Sequence, residues 1–254
     1  TYATRDLAAI LYRARTYDFD KAIYVTSYEQ VLHFKQVFEI AKRAGYLGNN
    51  HIAEHIAFGT MNGKDGKPFK TRSGDTVKLR ELINEMIEVI SKKSSIKNGE
   101  VIKDVAVACL KFADLINFRE LSYVFDMEQF TNFEGKTGAY ILYGLARINS
   151  ILSLQEDFDF NITSIKTKEE KDLLMEMTKF NSVINNAYNK RAPNFIADYV
   201  YNLVKKFSSF YANSSINNES DTEYKKSKIS LIYLIKKHIE LSLYLLGIKT
   251  VERM

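Results

Sequence analysis

The sequence contains one cysteine, two prolines and no tryptophan in 254 residues. With Cys109 alone the chain cannot build an internal disulfide framework, which is typical of proteins in a reducing cytoplasm. A signal peptide is not indicated, because Arg5 and Asp6 interrupt any apolar run near Thr1. Charged residues also interrupt the longest apolar stretch, residues 229–248, which therefore cannot span a bilayer. We expect a soluble, cytoplasmic protein that does not contact membranes.

The charge balance and the aromatic content point only weakly towards a polyanionic partner. The formal net charge is +5, but the 36 basic and 31 acidic residues are mostly interspersed along the chain. Sixteen tyrosines and sixteen phenylalanines could stack on nucleic-acid bases, yet most aromatic side chains fill a core. Composition alone therefore does not decide whether the partner is a nucleic acid.

Helical and strand-like patterns alternate in the first part of the chain. Apolar residues recur at helical spacing in residues 6–17 and 28–45, and apolar runs in 22–26 and 51–60 predict strands. A turn-rich segment, residues 63–68, follows the second strand. This alternation predicts an α/β layer with too few strands for a complete doubly wound sheet. We therefore expect an α/β remnant whose fold is truncated on its amino-terminal side.

The pattern becomes helical throughout after about residue 79. Pro193 stands one place before a strong amphipathic run, and a polar loop, residues 213–221, separates the last two helical patterns. We expect an all-α helical bundle that follows the α/β remnant. The predicted helices cover residues 79–92, 99–117, 136–154, 168–189, 194–213 and 223–246.

Residues 63–74 form the sharpest local feature of the sequence. Four cations, three glycines and two hydroxyl residues follow a predicted strand and precede a predicted helix. Glycines let the backbone approach a phosphate, while lysine and arginine neutralise its charge. A solvated surface loop has the same composition, because short motifs often match by chance. On spacing alone both interpretations stay open.

Two other features favour ordinary structural roles. Residues 51–55 match the H-x-x-E-H zinc signature, but that motif works on a helix, and this segment leads into a strand-like run. We therefore interpret the match as chance and predict no metal site. Cys109 lies among apolar residues of a predicted helix, which favours packing. The order and spacing of serine, histidine and aspartate do not indicate a nucleophilic triad.

Residues 69–74, Phe-Lys-Thr-Arg-Ser-Gly, together with the following Thr-Val-Lys-Leu, resemble the divergent KMSKS loop of arginyl-tRNA synthetases. In class I synthetases this loop stabilises the phosphates of ATP. The resemblance implies that Lys70 and Arg72 bind ATP on the phosphate side as catalytic groups, with Ser73 assisting. The likeness to this family extends over nearly the whole chain.

Residues 2–7, Tyr-Ala-Thr-Arg-Asp-Leu, resemble the Tyr-x-Thr-x-Asp-Leu segment of the same family. The resemblance implies that Tyr2, Asp6 and Gln30 bind the arginine substrate and that His33 lies on the adenylate side and binds ATP. A carboxylate suits a guanidinium, because two charge-assisted hydrogen bonds form between the planar groups. Positions four apart share one helix face. Without the resemblance each would be an ordinary polar residue of a helix.

Residues 136–147 are similar to the Thr-Gly-Pro-Tyr-Leu-Gln-Tyr-x-x-x-Arg helix that opens the anticodon-binding (DALR-type) domain of this family. Ala139 stands where proline is usual, but Tyr140, Tyr143 and Arg147 match. Aromatic stacking on splayed bases, with arginine on phosphate or base edges, suits recognition of the tRNA anticodon. A tyrosine-lined helix that packs on its neighbours would explain the same residues. The last ten residues are similar to the family's carboxy-terminus, so we expect Met254 to be the natural end.

The resemblance implies an arginine–tRNA ligase, with residues 1–130 as part of the catalytic domain and 131–254 as the anticodon-binding domain. Its partners would be tRNA(Arg), arginine and ATP, and magnesium would accompany ATP as a substrate. We expect a monomer without a tightly bound cofactor. The family's His-x-Gly-His signature is missing from the sequence. We therefore expect a fragment that is inactive alone. The alternatives are a tRNA-binding module without catalysis and an unrelated α/β ligand-binding protein with a coincidental basic loop.

Overall fold

The computed structural model describes residues 1–17, 19–66, 78–155, 160–214, 216 and 218–254. The chain divides into two compact units. Unit 1 comprises Thr1–Phe69 with Arg119–Phe125, and unit 2 comprises Lys70–Phe118 with Asp126–Met254. The segment Arg119–Phe125, called the return segment below, therefore completes the first unit.

Unit 1 is an α/β layer, as the alternating pattern predicts. Its elements are α1 (Tyr2–Tyr17), β1 (Lys21–Ser27), a short 3₁₀ helix (Tyr28–Gln30), α2 (Val31–Arg43) and β2 (Ile52–Phe58). The strands β1 and β2 pair in parallel, with Lys21 opposite Ile52 and Ser27 opposite Phe58. Helices α1 and α2 bury a small apolar core against each other. The buried members of this core are Ile10, Val37, Ala41 and Leu47.

A second parallel pair in unit 1 joins segments that are distant in the sequence. Strand β3 (Met61–Asn62) pairs with β4 (Tyr123–Val124) on the return segment. Just before β3, a Cβ on Gly59 would lie 2.6 Å from the backbone of Leu121, so only glycine permits this close approach. The sequence pattern does not reveal this pairing, because two-residue strands carry no periodicity.

Unit 2 is a helical assembly, which confirms the predicted change of pattern after residue 79. Helices α6 and α9 lie at its centre, since α6 contacts α4, α9 and α10, while α9 also contacts α7, α8 and α10. Side chains of residues just before several helices accept hydrogen bonds from the first backbone N–H groups, which would otherwise lack partners. The helices are α3 (Leu79–Lys93), α4 (Gly99–Leu115), α5 (Met127–Phe130), α6 (Gly138–Leu152), α7 (Lys168–Met177), α8 (Phe180–Lys190), α9 (Asn194–Asn213) and α10 (Thr222–Leu245).

The prediction of a single helix over residues 168–189 is wrong, because the chain forms two helices there. Helix α7 ends at Met177 and α8 begins at Phe180. The hydroxyl of Thr178 donates to the carbonyl of Met175 at 2.9 Å, and the backbone N–H of Lys179 donates to the carbonyl of Glu176. Both helices pack against α9, and the turn lets each of them reach it.

A close backbone contact in unit 2 joins α4 and α6. A Cβ on Gly138 would lie 2.5 Å from the carbonyl oxygen of Ala108, so the backbones touch where α6 begins. Cys109, next to this contact, is completely buried, which confirms its predicted packing role. Across the described ranges, no helix has both the length and the apolar character that crossing a membrane requires.

Candidate functional site

Unit 1 contains a cavity of about 400 Å³ lined by Tyr2, Asp6, Gln30 and His33. Tyr2 and Asp6 lie one helical turn apart on α1. Gln30 closes the 3₁₀ helix, and His33 lies in the first turn of α2. The structure therefore brings together four residues that the sequence assigns to neighbouring substrate sites.

Asp6 and His33 form the closest polar contact of this cavity. Nε2 of His33 lies 2.6 Å from Oδ2 of Asp6, and each side chain is about one third exposed (31% and 33%). An ionised carboxylate can only accept hydrogen bonds, so the imidazole Nε2–H donates. Tyr2 is 80% exposed, which leaves its ring open to the cavity mouth.

Aromatic packing beneath the cavity fixes the start of α2. Phe34, the residue after His33, is buried and meets the His33 ring edge-on, with ring centres 5.2 Å apart. The ring of His55 on β2 stacks on Phe34 at 4.8 Å, and its Nε2 lies 2.8 Å from the hydroxyl of Thr26 on β1. Burial, assisted by the charge of Arg119, lowers the pKa of His55. The His55 ring thus packs between Phe34 of α2 and Thr26 of β1.

The H-x-x-E-H match lies on a strand, which confirms the strand prediction for this segment. His51 precedes β2, and Glu54 and His55 are consecutive strand residues whose side chains point to opposite faces. Glu54 forms an ion pair with Lys21 at 3.3 Å. Within the described part of the chain, three or more His, Cys, Asp or Glu residues never cluster in a way that could hold a metal ion.

A second cavity, of about 490 Å³, lies in unit 2 beside α6. It contains the three residues that the sequence assigns to the anticodon site, Tyr140, Tyr143 and Arg147. Hydroxyl, cationic, acidic and apolar groups complete its wall. Among them are Lys93, Glu134, Ser208 and Met254.

The side chains of this second cavity hold Arg147 in a defined position. Its guanidinium carbon lies 4.9 Å from the ring centre of Tyr143, and Nη2 donates to the Tyr143 hydroxyl at 3.1 Å. Tyr211 on α9 contacts the same guanidinium, with its ring centre 5.0 Å away. Tyr143 and Tyr211 are 44% and 40% exposed, so both rings remain accessible.

Tyr140 differs from Tyr143 in its surroundings. Its hydroxyl lies 3.2 Å from Oγ of Ser208, and its ring centre lies 5.8 Å from that of Tyr201 on the same helix as Ser208. Tyr140 is half-buried between α6 and α9. It therefore combines a packing role with a place in the cavity wall.

Lys70, Arg72 and Ser73, the predicted ATP-side residues, lie outside the described residues. Of the loop 63–74 only residues 63–66 are described, and Gly66 there adopts a positive φ of 74°, as a tight turn requires. The predicted phosphate site remains a prediction.

The comparison with protein families decides the assignment. Residues 1–127 match the family described as tRNA synthetases class I (R), catalytic domain. The chain belongs to the class I (R) tRNA synthetases. Residues 141–254 of this class I synthetase chain also match the DALR anticodon binding domain.

Similar proteins of known name span the whole of this synthetase chain. The arginine–tRNA ligase of Agathobacter rectalis is 38% identical over 273 residues, and that of Pseudomonas entomophila is 40% identical over 265 residues. Each alignment covers 100% of the chain but only 46% of the relative. The chain thus spans a little less than half the length of the curated relatives it matches.

Solved structures show the same fold for the class I synthetase chain. The arginyl-tRNA synthetase of Plasmodium falciparum has a TM-score of 0.80 at 26% identity, covering 98% of this chain and 44% of that one. The arginyl-tRNA synthetase of Thermus thermophilus also has a TM-score of 0.80, at 23% identity, covering 92% and 41%. The expected fold class, an α/β remnant followed by a helical bundle, is confirmed.

Sequence reasoning missed two residues that line the unit 2 cavity of this synthetase chain, Lys93 and Met254, and one that contacts Arg147 from α9, Tyr211. Tyr211 belongs to an amphipathic run, so the pattern assigns it to the core. Lys93 ends α3, where its Nζ donates to Oγ1 of Thr131 at 3.1 Å. Met254 is held in place through the tail, since Asn149 donates to the carbonyl of Glu252 at 3.2 Å. None of the three carries a local sequence signal for a site.

Proposed function

We propose that the protein is an arginine–tRNA ligase that activates arginine with ATP and transfers it to tRNA(Arg). The observation that carries this proposal is the convergence of Tyr2, Asp6, Gln30 and His33 on one cavity of unit 1. Family membership and relatives named arginine–tRNA ligase support it.

In this proposal the unit 1 cavity binds the side chain of arginine. Asp6 supplies the negative charge, and a planar guanidinium can donate two parallel hydrogen bonds to its carboxylate. Gln30 offers an amide oxygen to a remaining N–H group, while the exposed ring of Tyr2 covers one face. Lysine, a point charge without the planar fork, fits this arrangement less well.

ATP and its magnesium ion bind as substrates on the other side of the arginine. The carboxylate of arginine attacks the α-phosphorus of ATP, pyrophosphate leaves, and arginyl-adenylate forms. Lys70 and Arg72, with the hydroxyl of Ser73, place positive charge and a donor where the departing phosphates gather negative charge. The resemblance assigns His33 to the adenylate side. A terminal hydroxyl of tRNA(Arg) then attacks the activated carbonyl and releases AMP.

The unit 2 cavity binds bases of the anticodon loop. Tyr143 and Tyr140 offer rings for stacking, and Arg147 offers hydrogen-bond donors to a base edge or a phosphate. Lys93 adds a second positive charge to the same wall. A cavity of about 490 Å³ suits a single splayed nucleotide base.

The proposal also covers the domain boundaries, the oligomeric state, the location in the cell and the cofactor content. Residues 1–130 belong to the catalytic domain and residues 131–254 to the anticodon-binding domain. The protein acts as a monomer in the cytoplasm and carries no tightly bound cofactor.

A tRNA-binding module without catalysis is the second candidate. The chain spans only 46% of its relatives, while the unit 2 cavity is built from unit 2 alone. Both candidates predict affinity for tRNA(Arg) that falls steeply with salt, since phosphate contacts release counterions.

Two assays on the full-length gene product separate the candidates. The first assay measures ATP–pyrophosphate exchange in the presence of tRNA(Arg). It compares samples that contain arginine, lysine or no amino acid. The second assay measures filter binding of tRNA(Arg) at two salt concentrations. Arginine-dependent exchange together with salt-dependent binding supports the ligase. Binding without exchange favours the module, and the absence of both would contradict both candidates.

A further inference from the structure

We propose that His33 is a positioning residue that holds the carboxylate of Asp6 in the plane required by the guanidinium of arginine. The inference rests on the proposed function of the unit 1 cavity as the arginine site. It assigns His33 an action through Asp6, whereas the family resemblance places His33 beside the nucleotide.

The contact between the two side chains carries the inference. Nε2 of His33 and Oδ2 of Asp6 are 2.6 Å apart, a short distance for a hydrogen bond to a charged acceptor. The residues lie on different helices, 27 positions apart in the sequence. Helices α1 and α2 pack against each other through a buried core, so the contact joins two fixed backbones.

A carboxylate without such a contact does not keep one orientation. The last torsion of an aspartate side chain is broad, so its two oxygens sample many planes. Bidentate binding of a guanidinium requires both oxygens in the plane of the fork. A donor that occupies one lone pair of Oδ2 restricts this rotation and leaves the remaining lone pairs of both oxygens for the substrate.

The imidazole of His33 is itself well placed to restrict Asp6. The edge-on contact with the buried ring of Phe34 limits its rotation, and the stack of Phe34 on His55 supports that ring from the strand side. The side chain of His33 is 31% exposed, so only part of it faces the cavity. Preorganisation of this kind lowers the ordering cost of substrate binding.

The experiment compares His33→Ala, His33→Gln and a control, Gln36→Ala, in the full-length gene product. Glutamine can extend an N–H donor to about the position of Nε2, while alanine cannot. Gln36 is an exposed residue of α2 outside the cavity lining, so its replacement tests the helix alone. The measured quantities are KM for arginine, KM for ATP and kcat in tRNA-dependent ATP–pyrophosphate exchange, with Tm as a measure of folding.

We expect His33→Ala to raise KM for arginine about tenfold or more, the effect of losing a hydrogen bond to a charged group. In His33→Ala the KM for ATP should change less than twofold. His33→Gln should restore most of the affinity for arginine, and Gln36→Ala should have the same constants as the wild type.

Three results would overturn the inference. If His33→Ala raised only the KM for ATP, His33 would be a nucleotide contact. If it changed neither KM nor kcat, His33 would have no role in the site. If His33→Gln did not restore the affinity for arginine, His33 would act only through packing. Failure of the proposed function is recognised separately, because the wild type itself would then show no arginine-dependent exchange.

Discussion

The guanidinium of Arg147 on α6 lies over the ring of Tyr211 on α9, with 5.0 Å between its central carbon and the ring centre. The ring of Tyr143, one turn before Arg147, contacts the same guanidinium at 4.9 Å. Two tyrosines from different helices thus fix one cation at the wall of a cavity. Stacked arginine keeps its outer N–H groups directed towards a ligand, which lysine cannot do.

Replacement of Arg147 by lysine should weaken tRNA(Arg) binding five- to tenfold, or about 1 kcal/mol, because the stacking and the planar fork are lost while the charge is kept. Filter binding as a function of salt measures this, and the slope against salt should stay unchanged. Arg43→Lys, at an exposed position on α2 of unit 1, is the control and should bind as the wild type does. Equal affinity of Arg147→Lys and wild type would contradict the proposed role.

The contact between α4 and α6 predicts a large effect from one added methyl group. Gly138→Ala would place a Cβ 2.5 Å from the carbonyl oxygen of Ala108, and the backbones would have to move apart. We expect a loss of about 1–3 kcal/mol in the free energy of unfolding. Gly99→Ala, near the start of α4 with no atom within 4 Å of its new Cβ, should be neutral or slightly stabilising. Urea unfolding of both variants tests the difference, and similar stabilities would refute the close contact.

Cys109 should not react in the folded protein. Burial raises the pKa of the Cys109 thiol to about 12, so the folded protein holds almost no thiolate at pH 8. A thiol reagent such as iodoacetamide should label the chain only after guanidinium unfolds it, at one site per molecule. Rapid labelling of the native protein, followed by mass spectrometry, would show that the site opens.

His238 should make stability depend on pH. Burial lowers the pKa of this imidazole below its ordinary value of 6.5, and Nδ1 lies 2.8 Å from the hydroxyl of Tyr199. Because the unfolded chain takes up the proton at a higher pH than the folded one, the free energy of unfolding falls as the pH drops below about 6.5.

The contribution of this one group is at most about 1.4 kcal/mol per pH unit, and less because the ring is partly exposed. Urea unfolding at pH 7.5 and 5.5 should show a smaller loss in His238→Gln than in the wild type. An equal loss in both proteins would assign the dependence to other groups, such as His55, whose pKa is also lowered.

Local patterns predict most of the secondary structure, because strong periodicity and capping residues define each long helix. The predicted helix over residues 194–213 agrees with α9 at both ends, where Pro193 precedes the first turn. The strand patterns at 22–26 and 51–60 likewise coincide with β1 and β2. What local patterns miss depends on distant contacts: the pairing of β3 with β4, and the turn between α7 and α8.

In the candidate sites too, some features follow from local sequence patterns and others depend on contacts between distant segments. Spacing on α1 places Tyr2 and Asp6 on one face, but the hydrogen bond from His33 exists only because α2 packs against α1. Similarly, Tyr143 and Arg147 follow from one helix, whereas Tyr211 comes from another and its periodicity suggested a core position. Sequence motifs identify residues that act from one element, and tertiary packing adds the partners that orient them.

The most direct test of the arginine site is the KM for arginine of Asp6→Asn in tRNA-dependent ATP–pyrophosphate exchange by the full-length gene product. Asparagine keeps the size and the acceptor for His33 but removes the charge that pairs with the guanidinium. Asp20→Asn, at an exposed position outside the cavity, is the matched control. We predict that Asp6→Asn raises KM for arginine at least about a hundredfold, as expected when the charge partner of a bound guanidinium is lost, with KM for ATP nearly unchanged. An arginine KM equal to that of Asp20→Asn would contradict the assignment of the cavity to arginine.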